Sequence, residues 1–164
     1  MRSELTTQGT ATRIDGPLLF LKRNVEVTLG EAVDVLIGDE PEPPYSRMAI
    51  PYLLTGSIGE PGTYLRKDSA HWDRLRVKQV TGQVTAISIS PKRVSMSEGQ
   101  AFDFDTCLIA TGSSPVRPPI PGIDSPFVHA CWTLKDARNI MQLARPGARV
   151  LQMGAGFIGC IIME

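Results

Sequence analysis

The chain has no apolar run near the ~20 residues that a membrane-spanning helix needs. Its longest early apolar stretch is Leu18 to Leu21. The opening MRSELTTQGTATRID lacks the apolar segment that heads a secretory signal. Charge of one sign is also missing: 17 basic and 17 acidic side chains give a formal net charge of +0. Nucleic-acid binders draw phosphate affinity from a basic surplus, so no nucleic-acid partner is expected, and no membrane partner. Cysteine is sparse, and Cys107, Cys131 and Cys160 form no C-x-x-C pair and have no histidine at ligand spacing. A disulfide framework, a zinc site and a thioredoxin-type redox pair are not expected; a cytoplasmic, reducing setting is. What is present is globular in character: 42% hydrophobic and 21% charged residues exclude wholesale disorder. The 164 residues allow one domain, or one domain and part of another, and 15 Gly with 13 Pro announce many turns.

Residues 1–32 show no sustained period of 3.6 or 2, and only Val25, Val27 and Leu29 alternate as a short strand would. The β-branched run Val33, Val35, Leu36, Ile37 then closes at Gly38-Asp39-Glu40, which reads as a buried strand. The proline-rich EPEPPYSR is an ordered loop. Short helices are expected over 48–55, with Pro51 near the first turn, and over 68–75, with Asp68 or Ser69 as N-cap. Residues 76–97 alternate as a small meander with turns at Thr81-Gly82 and Pro91-Lys92. Phe102 and Phe104 precede a second buried-strand signature, Cys107 to Ala110, ending in Thr111-Gly112. After the connector PVRPPIPG, Leu134 to Leu143 has helical spacing and stops at Pro146-Gly147. Ala148 to Met153 reads as a strand leading into GAGFIG.

That last motif carries chemistry. In G-x-G-x-x-G the first glycine permits a tight turn and the second lets backbone approach a pyrophosphate. The third packs helix on strand, and the helix N-terminus offers free N–H groups to the anion. Gly154, Gly156 and Gly159 occupy those places, with a Gly-rich core turn as the alternative. Glu40, at the end of a strand, suits two ribose hydroxyl donors; a solvated loop acid is its alternative. Arg47 has the planar fork for a phosphate or a base, against an ordinary surface arginine. Ala110-Thr111-Gly112 puts small residues where a ligand could approach backbone, or simply makes a turn.

Taken in order, Glu40 to Arg47, Leu108 to Pro115 with Ile120-Pro121-Gly122, and GAGFIG resemble consecutive landmarks of the FAD-dependent pyridine nucleotide–disulfide oxidoreductase superfamily. The likeness is greatest to its nitrite-reductase-like, NADH-oxidase-like and ferredoxin- or rubredoxin-reductase-like branches, and runs from about Val33 to Glu164. It implies an α/β fold: a partial FAD/NAD(P)-binding Rossmann-like domain with a small β-meander, and the beginning of a second nucleotide-binding domain. The expected division is a divergent segment at 1–32, a partial FAD-binding domain at 33–122 and the start of an NAD(P)-binding domain at 123–164. By resemblance Glu40 matches the acid on the FAD adenosine ribose, Arg47 an FAD-contacting arginine, and Val84 a valine whose backbone meets the adenine. Ala110, Thr111 and Gly112 match the turn beside FAD; Gly154, Gly156 and Gly159 match the NAD(P)H pyrophosphate loop.

The departures are specific. The family's first glycine motif, which grips the FAD pyrophosphate, should precede Val33, yet residues 1–31 hold only Gly9, Gly16 and Gly30. Tyr52 and Ile161 stand where reductases often carry a lysine and a glutamate, and Met48 stands where one branch has a redox cysteine. His71 and His129 read as surface or connector residues, and no side chain is expected as catalytic acid, base, nucleophile or metal ligand. The expected function is therefore that of a fragment of an FAD-dependent NAD(P)H oxidoreductase. Hydride passes from NAD(P)H to FAD and electrons go on to a small-molecule or redox-protein acceptor. By the same resemblance, full-length members can form homodimers. The alternatives are a truncated or frame-shifted, non-catalytic fragment with weak or no nucleotide binding, and a subunit completed by a partner chain.

Overall fold

A computed structural model describes residues 19–22, 34–154 and 156–163. Apart from Leu19–Lys22, the expected divergent segment and the strand at Val25 to Leu29 lie outside the described residues. The chain divides into two compact units, residues 1–41 with 68–114 and residues 42–67 with 115–164.

Unit 1 holds two sheets. The first has four strands in the order β3-β2-β1-β7: β1 (Leu19–Lys22), β2 (Asp34–Gly38), β3 (Val77–Thr81) and β7 (Thr106–Ile109). The second has three, β4 (Val84–Ile89), β5 (Lys92–Met96) and β6 (Ala101–Asp103), all antiparallel. β2 is the β-branched run read from the sequence, and Val35, Leu36 and Ile37 are buried in succession because both faces of the strand are covered. Val35 and Ile37 pack with Val84, Val94 and Met96, and Val80, Phe102, Phe104 and Cys107 close around them.

The direction of each strand decides what its ends can do. β2 and β3 are parallel, Asp34 level with Val77 and Gly38 with Thr81. β1 lies between β2 and β7 and is antiparallel to both, with Leu19 level with Ile37 and Ile109, and Lys22 level with Asp34 and Thr106. Three strands thus point one way and β1 points against them.

The expected β-meander is present as β4-β5-β6, and its bounds over 76–97 are corrected. β3 leaves it to pair with β2, and the hairpin partner of β4 is β5, because alternation reports which face is buried and not which strand lies alongside. Gly82, at φ +156°, makes the break and donates to the Gly38 carbonyl at 2.7 Å. The second buried-strand signature is also corrected. Among the described residues β7 pairs with β1 alone and ends the strand order, and Leu108 is 58% and Ile109 59% exposed. The expected helix over 68–75 shrinks to α2 (His71–Arg74), capped by Ala70, because the Asp68 carboxylate binds the Ala70 N–H at 2.9 Å and Arg74 at 2.6 Å and bends the chain before the helix. Arg76, just past α2, adopts φ +54°. Left-handed backbone strains a side-chain-bearing residue by ~1 kcal/mol, partly offset in glycine by its freer unfolded chain. Arg76→Gly is expected to raise stability by roughly 0.5 kcal/mol, read as a higher urea midpoint.

Unit 2 packs α1 (Ile50–Leu54) on α3 (Leu134–Leu143) through Ile50, Leu53, Leu134 and Ala137. α1 follows a 3₁₀ turn at Arg47–Ala49 and carries Pro51 in its first turn, where a missing N–H is harmless. α3 has the bounds its spacing announces. Its start is a capping box: the Thr133 hydroxyl accepts from Asp136 N–H at 3.1 Å, and the Asp136 carboxylate accepts from Thr133 N–H at 2.9 Å. Thr133→Ala is expected to cost about 1 kcal/mol, visible as a lower melting temperature. Residues 148–153 join no ladder among the described residues, and Leu151 is 89% exposed, so the strand expected there is not formed. α4 (Phe157–Ile162) follows the glycine motif. No helix among the described residues is long and apolar enough to cross a membrane.

Candidate functional site

In unit 1 the three co-directed strands end together at one edge of the sheet, at Gly38, Thr81 and Ile109. Open α/β sheets bind ligands outside such carboxyl ends. Glu40 lies two residues beyond β2 and is half-buried; Val84 opens β4 just after the Gly82 turn; Ala110, Thr111 and Gly112 follow β7 directly. Five of the residues singled out from the sequence therefore border one edge. Gly112 has φ +64°, a backbone that glycine alone adopts without strain, while the Val84 side chain is turned into the core.

A dinucleotide needs more than this edge. A pyrophosphate clasp is the turn from a strand's carboxyl end into a helix. The central strand that would supply it is β1, and its carboxyl end, Lys22, lies on the opposite edge, level with Asp34 and Thr106. The described residues at this edge are compatible with the adenosine end of FAD and include no clasp for its pyrophosphate.

In unit 2 the glycine motif is tightly built. Gly154 takes φ +104°. Gly156 caps α4 and accepts the first helical hydrogen bond from Cys160 N–H at 3.0 Å. The Gln152 side chain donates to the Gly154 carbonyl at 2.8 Å. A Cβ at Gly159 would sit 2.6 Å from that carbonyl oxygen and would also strike the Gln152 amide, so no side chain fits there. The third position of the motif is thus closed to a side chain by its own turn. The glycine spacing and this turn are compatible with an NAD(P)H pyrophosphate loop.

Arg47 is held in place. Its guanidinium stands 5.1 Å from the Trp132 ring centre and 5.4 Å from that of Tyr45. It donates to the Trp132 carbonyl at 2.6 Å and the Tyr45 hydroxyl at 3.0 Å. The planar fork suits this stacking. Tyr52 is exposed on α1, Ile161 half-buried on α4, and Met48 exposed beside Arg47. His71 is half-buried, edge-on to Trp72, and His129 is exposed.

Sequence reasoning missed a charge cluster in the same unit. Arg138 on α3 grips Glu60 with two hydrogen bonds, at 2.8 and 2.7 Å, and Glu42 with a third at 2.6 Å. Tyr64 adds a hydroxyl to Glu60 at 3.1 Å. The Arg138 hydrogen bond, chiefly, holds the Glu60 carboxyl below its ordinary value, and burial, chiefly, raises that of the Tyr64 hydroxyl. Pairs this far apart in the chain leave no local signal. The Thr133-x-x-Asp136 cap does leave one, since it is the capping signature.

Comparison with known proteins adds the following. Residues 19–162 match the family model described as pyridine nucleotide-disulphide oxidoreductase. The ferredoxin–NAD(+) reductase subunit of the benzene 1,2-dioxygenase system of Pseudomonas putida is 32% identical over 128 residues, 76% of this chain and 30% of that protein. The assimilatory nitrate reductase electron transfer subunit of Bacillus subtilis (strain 168) is 31% identical over 127 residues, 76% of this chain and 16% of that one. Among solved structures, the covalent putidaredoxin reductase–putidaredoxin complex superposes with a TM-score of 0.69 at 28% identity, covering 78% of this chain and 32% of the other. The chain thus spans between 16% and 32% of these relatives' lengths.

Proposed function

Because the chain belongs to the pyridine nucleotide-disulphide oxidoreductase family, whose members are FAD-containing, NAD(P)H-dependent enzymes, we propose that it supplies nucleotide-binding parts of such an oxidoreductase. In that chemistry the nicotinamide gives hydride to the flavin and electrons pass to an acceptor, while protein groups bind and orient. We assign Gly154, Gly156 and Gly159 to the NAD(P)H pyrophosphate, and Glu40, Val84, Ala110, Thr111 and Gly112 to the adenosine side of FAD. Arg47 belongs to the FAD side as a stacked, oriented cation. Residues 33–122 are the FAD-side portion and 123–164 the start of the NAD(P) portion, a division by ligand chemistry rather than compactness. The acceptor is a small redox protein, in keeping with the ferredoxin-reductase relatives, and the setting is cytoplasmic.

The observation that carries this reading is the space denied to any side chain at Gly159 by the Gly154 carbonyl. Titration with NADH is expected to move the amide resonances of Gly154, Gly156 and Gly159, and Gly159→Val to weaken that binding. Unmoved glycine amides at saturating NADH would overturn the assignment.

A second reading, a non-catalytic chain that holds FAD weakly, is favoured by the reversed direction of β1. The two separate in the absorbance spectrum of the purified protein. Stoichiometric bound flavin selects the first, colourless protein the second.

A further inference from the structure

We infer that the carboxyl edge of the unit 1 sheet recognises adenosine nucleotides by the nucleoside and gives no added affinity to their phosphates. The inference rests on the assignment of that edge to the adenosine side of a nucleotide and makes its ligand specific. Two observations carry it independently.

The first is strand direction. A clasp needs a strand running to the carboxyl edge and turning there into a helix whose free N–H groups meet the phosphates. At the centre of this sheet the strand runs the other way, from Leu19 beside Ile37 and Ile109 to Lys22 beside Asp34 and Thr106. Its carboxyl end and the edge in question lie at opposite ends of the ladder. The place such a strand would take is filled, so another segment bearing a clasp could enter only by displacing β1.

The second is charge. Among the described residues, the segments that follow the co-directed strands at this edge, 38–41, 81–84 and 109–114, contain Asp39 and Glu40 and no lysine, arginine or histidine. Those segments supply no charge-assisted donor to a phosphate, and their two carboxylates carry the phosphate's own sign. The same carboxylate chemistry favours a neutral diol. A ribose presents two hydroxyl donors, and an acidic side chain at the end of a parallel strand accepts both.

The experiment is an amide-shift titration of the full chain with adenosine and with ADP, read at Val84, Ala110, Thr111 and Gly112. These amides report this edge and not the glycine motif of unit 2. The expected result is adenosine and ADP midpoints within about threefold of each other. ADP binding about tenfold or more tighter than adenosine at these amides would overturn the inference and leave the nucleotide assignment standing. Amides unmoved by either ligand would overturn the assignment and the inference with it.

Discussion

Replacing Arg138 by leucine is expected to destabilise unit 2 by about 2 kcal/mol at neutral pH, the value for a broken buried pair discounted for partial exposure. The loss comes less from the attraction removed than from what is left behind. The Glu42 side chain is 8% exposed, against 41% for Arg138, so Glu42 would stay buried without its guanidinium partner. Glu60 would lose a two-pronged grip and keep the Tyr64 hydroxyl. A double variant, Arg138→Leu with Glu42→Leu, is expected to recover part of the loss, because no charge is then stranded. Stability without recovery would mean that Arg138 acts through the packing of its stem. The pH dependence has a definite sign. The Glu60 carboxyl is held below its ordinary 4.5, chiefly by the Arg138 hydrogen bond. A lowered carboxylate stabilises the fold fully above the unfolded value and loses that stabilisation as pH falls through the folded one. The gap between wild type and Arg138→Leu is therefore expected to be full at neutral pH and to narrow below pH 4.5 as Glu60 protonates. Urea denaturation of both proteins across that range measures it.

Such a cluster shows where the sequence is legible and where it is silent. α3 could be read because its apolar period and its Pro-Gly stop are both local, and the Thr133 cap, which went unread, is local too. β2 could be read because a strand covered on both faces needs an unbroken apolar run. The glycine motif could be read because its spacing encodes a backbone path, and the crowding at Gly159 is what that spacing requires. Arg138, Glu60 and Glu42 meet only through the fold, and the pocket of Tyr45 and Trp132 around Arg47 likewise joins residues far apart in the chain. Exposure was illegible for the same reason. The run Thr106–Ile109 is as apolar as a central strand, yet among the described residues it ends the strand order, and Leu108 and Ile109 are exposed. The four-residue LFLK was too short to mark as a strand, and nothing within it states a direction. Whether a strand between β2 and β7 runs with them or against them depends on the path of the chain, and that path decides whether a phosphate clasp can exist there.

Strand direction can be tested chemically with a cysteine the protein already has. In the antiparallel register Leu21 stands opposite Cys107 and Phe20 opposite Leu108. Directly opposed residues of an antiparallel pair have Cα atoms about 4.5–5.5 Å apart, within disulfide reach. Were the strand to run parallel about the same centre, Phe20 would replace Leu21 opposite Cys107. In a background of Cys131→Ser and Cys160→Ser, Leu21→Cys is therefore expected to form a near-complete intrachain disulfide on mild oxidation. Phe20→Cys is expected to form little, because in that register residue 20 stands opposite Leu108 and not Cys107. Closing a loop of roughly 86 residues would add about 4.6 kcal/mol of stability in the chain-entropy account, a large shift in the urea midpoint of the oxidised form over the reduced. Mass spectrometry of alkylated protein reads the bond, and non-reducing electrophoresis excludes intermolecular linkage. A bond formed by Phe20→Cys and not by Leu21→Cys would reverse β1, restore a carboxyl end beside Gly38 and Ile109, and return the FAD pyrophosphate to this edge.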